Sequence, residues 1–434
     1  MLRRMKGQVL VLATVLAVAS CDSSGLDGVS TSTLDRTLPS RLLDNTNAEQ
    51  DGRVTRYETW DIPHFVNPNP NLATMQFYLR RHINDPNGFG RHQVTPGRVS
   101  GISRALRENS YLTQQMNSTA LVSYLLYEND QLVYDVLSPR NRFGDIVNNT
   151  TPLRSASIGK SLTSYLLGHA ICEGYIDGLN ARLNDWPLIQ NTVYDNQRLI
   201  DLVNMRAGDE GVVDDSDGLI ASDRWYNLHS IGSFARNELA DTKPRGTEGR
   251  RPYHYNGLVT NVVLNYIIHK TGRDFQSLMS KTFRDKAGIQ SPVRFLRVNG
   301  YSHADGDARY GFYASRYDYL RIAKCMLRDW QNDTCEGQYL KEIVERRQPK
   351  NDRFDERYDP FEAPRGYGGF FHFDYPGMRG RNILGMNGYG GQNILIDFDQ
   401  GRIVLSHGVT PTYNWYQLQH QVLQNGGLPI ISSN

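Results

Sequence analysis

Ser157 and Lys160 stand three positions apart in "RSASIGKSLTSYLLGHAI" (154–171), just ahead of an apolar run with helical spacing. On a helix, residues i and i+3 share a face with Cβ atoms about 5–6 Å apart, so the lysine amine can reach the serine hydroxyl. A serine hydroxyl is a poor nucleophile until a base removes its proton. Burial and the positive end of the helix dipole would both favour a neutral, base-competent lysine. The N–H groups left over at the same helix start can stabilise an oxyanion. The residues also fit plain helix grammar, because serine is a favoured N-cap and a lysine one turn later is unremarkable. What stands elsewhere in the chain decides between the two.

Around this stretch the chain alternates strand and helix signals. "ALVSYLLYENDQLVYDVL" (120–137) and "NILIDFDQGRIVLSHG" (393–408) each place two apolar runs about a turn, the mark of a β-hairpin. Between them 157–174, 197–205, 258–271 and 316–328 read as helices. Hairpins at both ends with helices between them predict an α/β (α+β) architecture, an antiparallel sheet built from both chain termini and flanked by helices, with a mainly helical subdomain inserted. An earlier helix is expected at "NLATMQFYLRRHI" (71–83).

Read together, these stretches resemble the serine β-lactamase-related hydrolases: class C β-lactamases, DD-peptidases, family VIII carboxylesterases and aminohexanoate-oligomer hydrolases. "RSASIGKSLTSYLLGHAICEGYIDGLNARLNDW" is similar to their active-site helix, "VYDNQRLIDLVNMRAGDEG" (193–211) to their Leu-x-Met-x-Ser/Thr-Gly element, and "RPYHYNGLVTNVVLNYIIHKTG" (251–272) to their second motif and its helix. "YGFYASRYDYLRIAKCML" (310–327) resembles the helix opened by Ser/Thr-x-x-Asp, and "LGMNGYGGQNILIDFDQGRIVLSHG" (384–408) the third-motif strand and closing hairpin. The likeness spans about residues 115 to 410 and implies the β-lactamase/DD-peptidase-like fold. It makes Ser157 the nucleophile and Lys160 the base or proton shuttle. The Tyr of the family's Tyr-x-Asn, which relays a proton, falls best on Tyr255, with Tyr253 as the second choice. A phenol, with an ordinary pKa near 10, acts as a base only beside positive charge, which Lys160 would supply. The third motif is Met386-Asn387-Gly388, and the backbone N–H groups of Ser157 and Tyr389 become the candidate oxyanion hole.

Two departures narrow the expected substrate. Gly257 occupies the place of the family's second-motif Asn, with Asn256 one position earlier, and Met386 replaces the third motif's cation. Losing a charge-assisted contact costs about 1.5–3 kcal/mol, which disfavours an anionic β-lactam or peptide carboxylate. The expectation is a carboxylesterase or amidase acting on a small ester or amide through an acyl-enzyme, with no cofactor. The competing expectations are a β-lactamase or penicillin-binding DD-peptidase, and a catalytically idle binding or sensor protein of the same fold. His169 lies more than three turns along the helix from Ser157 and reads as structural. His407 reads as a surface residue, and "GYGGFFHFDYPG" (366–377) as either pocket lining or core.

The 434 residues carry 48 basic and 46 acidic side chains, and no basic stripe stands out past the first few positions, which argues against a nucleic-acid partner. Residues 1–20 read as a lipoprotein signal peptide: Arg3, Arg4 and Lys6, an apolar stretch, then Ala19 and Ser20 before Cys21. By resemblance to bacterial lipoproteins, Cys21 would carry the lipid anchor to the membrane in the cell envelope, on the periplasmic side. Asp22 would favour the inner membrane. Residues 21–50, rich in Ser, Thr, Asp, Asn and Gly, read as a flexible tether, 51–114 as an N-terminal extension packed on the body, and 115–434 as the hydrolase domain. In an oxidising compartment Cys325 and Cys335 are a plausible local disulfide, with Cys172 a small buried hydrophobe. No Cys/His spacing reads as a metal site.

Overall fold

The two hairpins foreseen at the chain's ends meet in one sheet. In the computed structural model, which describes residues 70–85, 89–213, 229–350, 364–378, 380–410 and 413–430, eight antiparallel strands run in the order β3-β2-β12-β11-β10-β9-β8-β7. Here β2 is Leu121–Glu128, β3 Gln131–Leu137, β7 Gln348–Pro349, β8 Gly366–Gly368, β9 Phe371–Phe373, β10 Ile383–Gly388, β11 Gln392–Asp397 and β12 Arg402–Gly408. The β2–β3 turn rests on Asn129 and Asp130, both at positive φ (49° and 59°), the conformation that matches hairpin twist. The leader, Cys21, Asp22, the tether and residues 51–69 lie outside the described residues.

The strands look continuously apolar because the sheet is covered on both faces. Val122, Leu125 and Tyr127 of β2, with Ile394, Ile396, Ile403 and Leu405, join the main core. Their neighbours Leu121, Tyr124, Leu126, Leu395 and Val404 turn to a second core, closed by Leu112, Met116, Leu418, Val422 and Leu423. The helices that matter below are α1 (Leu72–His82), α2 (Ser110–Ser118), α3 (Ile158–Cys172), α4 (Leu258–Thr271), α5 (Arg316–Gln331) and α6 (Cys335–Glu345). All but two residues of α3 (Ile171 and Cys172) are buried, as expected of a helix surrounded by other elements.

A second antiparallel sheet, which the hairpin signals did not announce, runs β1-β5-β6-β4 with β1 Phe89–Val94, β4 Leu153–Arg154, β5 Val293–Val298 and β6 Ala308–Ala314. Since β4 pairs only with Tyr313 and Ala314, the earlier part of β6 needs other partners on that side. Two asparagines of α4 provide them. Asn265 accepts from the Ala308 N–H (3.0 Å) and donates to its carbonyl (2.9 Å), and Asn261 accepts from the Tyr310 N–H (3.0 Å).

The cysteine expectation is corrected. The disulfide joins Cys172 at the end of α3 to Cys335 at the start of α6, with Cα atoms 5.8 Å apart. Cys325 is a free thiol, because its position in α5 turns it into the core beside Tyr165, where burial pushes the thiol's pKa up. Around the disulfide, His169 pairs with Glu336 (3.1 Å) and Lys286 bridges Glu336 (2.5 Å) and Asp329 (3.0 Å). Burial alone would raise the Glu336 carboxyl, but hydrogen bonds from His169 and Lys286 outweigh it and hold it far below the usual range. His169 is therefore a structural anchor.

His407 is also corrected: it is buried at the end of β12, its ring 5.2 Å from Tyr319. Neither ring nitrogen finds a hydrogen-bond partner among the described residues. Burial, with Arg316 adding to it, pushes the imidazole down to about 3. An unfolded histidine titrates near 6.5, so between roughly pH 6.5 and 3 the unfolded chain binds a proton that the native one refuses. This contribution to stability is complete above that window and is lost as pH falls through it. Urea midpoints at pH 7 and pH 4.5 are expected to differ less for His407→Leu than for the parent protein. Equal differences would overturn this reading.

Candidate active site

The chain enters α3 through a strained turn. Ala156, immediately before Ser157, has φ 45°, a left-handed conformation that costs a residue bearing a Cβ. Both sides hold it: Ser155 pairs with Phe312 of β6 through its N–H (2.8 Å) and accepts the Phe312 N–H on its hydroxyl (3.0 Å). On the other flank Gly388, at the end of β10, lies so close that a β-carbon would sit 2.6 Å from the Ser155 carbonyl oxygen. The first helical N–H groups are taken up at once, Ile158, Gly159 and Lys160 donating to the carbonyls of Ser155, Ala156 and Ser157.

Ser157 occupies the N-cap position with helical φ and ψ and makes no side-chain capping bond. Its hydroxyl is instead 3.1 Å from Lys160 Nζ. Lys160 is 1% exposed and Ser157 9%, so the lysine is fully buried while the serine keeps a small accessible surface. The capping reading therefore fails for this serine.

Lys160 Nζ also donates to the Tyr310 hydroxyl at 3.2 Å. It lies 4.2 Å from the centre of the Tyr310 ring and 4.5 Å from that of Tyr255, so two aromatic faces flank the lysine nitrogen. Gly159 makes this possible: a β-carbon there would overlap the Tyr310 carbonyl oxygen, so only glycine lets α3 close on β6. The motif reading did not find Tyr310. It precedes the Ser-x-x-Asp turn, where Ser315 caps α5 by accepting the Asp318 N–H (3.2 Å), and nothing in its spacing marks it among 25 tyrosines.

Strand-like alternation before α4 sorts the second-motif stretch into two sides. His254 and Asn256 turn to the buried Asp209, each at 3.0 Å, and Tyr194 donates to the same carboxylate at 2.8 Å. Asn256 also accepts the Val259 N–H (2.9 Å), capping α4. It is a structural residue and is not a substitute for the family's site amide. Tyr253 and Tyr255 take the opposite side and meet Tyr367 of β8, with ring centres 5.2 and 5.9 Å away. Tyr255 is the one over Lys160, while Tyr253 has Lys350 over its ring at 5.9 Å.

The "GYGGFFHFDYPG" stretch forms β8, β9 and their turn. Phe370, Phe371, Phe373 and Tyr367 all pack in the main core, and Tyr367 also walls the tyrosine cluster. His372 of β9 stands edge-on to Tyr367 at 5.0 Å. Burial first, then the charges of Lys350 and Lys160, holds its imidazole well below the usual range, so a neutral histidine borders the site. In the third motif Met386 is buried in the main core beside its β11 partner Ile394. Asn387 accepts from the Tyr375 hydroxyl at 3.3 Å. Tyr389 follows Gly388 in the β10–β11 turn, ahead of Gly390 and Gly391 at φ 79° and 95°.

No family model matches the sequence, and no curated protein does either. Solved structures do match. A Bacillus anthracis protein named as a 6-aminohexanoate-dimer hydrolase is 16% identical, with TM-score 0.54 over 78% of this chain and 88% of its own. EstCE1, a hydrolase with promiscuous acyltransferase activity, is 12% identical, with TM-score 0.52 over 73% of this chain and 96% of its own. A penicillin-binding protein from Bacillus halodurans is 14% identical, with TM-score 0.50 over 73% of this chain and 99% of its own. At such identities the likeness speaks for the fold alone. The chain has the β-lactamase/DD-peptidase fold, as the resemblance in its motifs implied.

Proposed function

We propose that this protein is a serine hydrolase that cleaves an ester or amide bond through an acyl-enzyme on Ser157. The observation that carries the reading is the buried Ser157–Lys160 contact, with the serine released from capping. Lys160, as the free amine, takes the Ser157 proton while Oγ attacks the carbonyl carbon. The proton then passes to the departing alcohol or amine as that bond breaks, with the Tyr255 hydroxyl as relay. Water repeats the sequence and frees the acid. The Ser157 and Tyr389 N–H groups are the proposed oxyanion hole. Tyr310, whose hydroxyl accepts from Lys160, acts as a positioning residue.

A carboxylesterase or amidase fits better than a β-lactamase or DD-peptidase. Met386 lies in the core and Asn256 is committed to Asp209 and α4, so neither can grip a substrate carboxylate or acyl-amide. The pattern of Arg3, Arg4, Lys6 and Cys21 adds a lipid anchor in the cell envelope to the proposal. A fluorophosphonate probe is expected to label the parent protein covalently and Ser157→Ala not at all, with p-nitrophenyl ester turnover following the label. Equal labelling of both, or no label together with no ester turnover, would leave the idle-binder reading in its place.

A further inference from the structure

Away from this cleft, the β1-β5-β6-β4 sheet gathers two histidines and a carboxylate that the proposed hydrolysis does not use. His92 comes from β1, His303 from the one-turn helix His303–Asp305 after β5, and Asp307 from the residue before β6. One donor atom from each lies within 4.8 Å of the other two. His303 Nδ1 is 3.1 and 3.2 Å from the two Asp307 oxygens, and His92 Nε2 is 3.7 Å from Oδ1. The imidazole rings tilt over each other with centres 4.7 Å apart.

We propose that His92, His303 and Asp307 form a binding site for a divalent transition-metal ion of the zinc class. Zinc sits about 2.0–2.2 Å from nitrogen and carboxylate ligands, which in a tetrahedron puts neighbouring donors about 3.3–3.6 Å apart. The 3.1 and 3.7 Å edges to Asp307 bracket that range, and the edge between the two imidazoles, within 4.8 Å, closes by side-chain rotation. The second observation is His92 itself. It is 5% exposed, and its Nε2 points at the carboxylate from beyond hydrogen-bond range, with no hydrogen-bond partner among the described residues. Leaving a buried ring nitrogen unpaired costs free energy that a metal bond would recover.

Two imidazoles and one carboxylate favour zinc, cobalt or nickel over magnesium or calcium, which take oxygen ligands. Arg297 Nη1 holds Asp307 Oδ2 at 3.2 Å, a contact that orients the carboxylate and leaves Oδ1 for the ion. The buried Arg309 guanidinium, bonded to the carbonyls of Gly306 and Ala308, also interacts electrostatically with this carboxylate, so the ion binds against nearby positive charge. His303 is about half exposed (53%), so solvent reaches the site and can supply the fourth ligand. An ion there would staple the turn at 303–305 to β1, tying together segments more than 200 residues apart.

The test uses the full chain, free of affinity tag and stripped with a chelator, titrated with Zn2+ by calorimetry and with Co2+ by visible absorption. About one Zn2+ per chain is expected, with intense tetrahedral Co2+ bands and a higher thermal midpoint in Zn2+. Because Asp307 and His92 are buried and their variants could fail to fold, His303→Ala carries the comparison. It should keep the parent's circular dichroism and lose at least tenfold in Zn2+ affinity. No saturable Zn2+ binding by the parent, or equal affinity in His303→Ala, would overturn the site. Ester turnover is not a readout here, so this proposal and that for Ser157 stand or fall separately.

Discussion

Lys160→Ala is expected to lower kcat for a p-nitrophenyl ester by about a thousandfold, within the range that a positioned general base contributes, with KM changed only a few-fold. The serine would remain, but the atom 3.1 Å from its oxygen would be gone. Stability should move the other way. Keeping a polar lysine nitrogen at 1% exposure costs desolvation free energy, so the variant's thermal midpoint should hold or rise. Tyr310→Phe keeps the ring and removes only the hydroxyl that Nζ reaches. It should cost about tenfold in kcat at unchanged KM, and nothing further when Lys160 is already alanine. Full additivity in the double variant would show that Tyr310 acts on something other than the lysine. A kcat within threefold of the parent for Lys160→Ala would remove the lysine from the mechanism.

The second large effect concerns stability. The Cys172–Cys335 bond closes a span of 163 residues, for which the chain-entropy account gives about 5 kcal/mol. Cys172→Ala/Cys335→Ala should therefore shift the urea midpoint far more than Cys325→Ala, which removes only a buried sulfur from α5. Ester turnover at 25 °C should survive, because the Ser157 end of α3 is held separately by Phe312, Tyr310 and Gly388. Non-reducing peptide maps should link the peptides bearing 172 and 335. A 325–335 link, or a stability loss under about 1 kcal/mol, would sink the assignment.

What could be read in advance was whatever is local in sequence. Helical periodicity placed α4 at 258–271, and the apolar runs about "END" and "FDQG" gave both hairpins of the large sheet. Ser157 and Lys160 were legible because one helical turn joins them. The Tyr310 contact was not, because it depends on a glycine that lets a helix lie against a strand 150 residues further on. The four-stranded sheet stayed hidden for a similar reason, since β1 pairs with β5 across some 200 residues and neither strand alternates strongly. Spacing pointed to Cys325 and Cys335, ten apart. Tertiary packing instead turned Cys325 inward and brought up Cys172. Asn256 was legible as standing one place early of the family's site amide, but its bond to Asp209 was not, because it depends on the two-residue alternation of its segment.

The pairing of β2 with β12 sets Ser123 opposite His407 and Leu125 opposite Leu405. Nearly three hundred residues separate these partners along the chain, so the sheet's centre can form only after both strands exist. Bringing such distant segments together makes folding slow. It also orders the assembly of the candidate site. Ser157 and Lys160 can share a helix early, but the Gly388 that braces their turn arrives with the closing strands. Until β10 is in place, the Ser157–Lys160 pair thus lacks one wall of the turn that aims it, and the geometry of the pair becomes a property of the closed sheet.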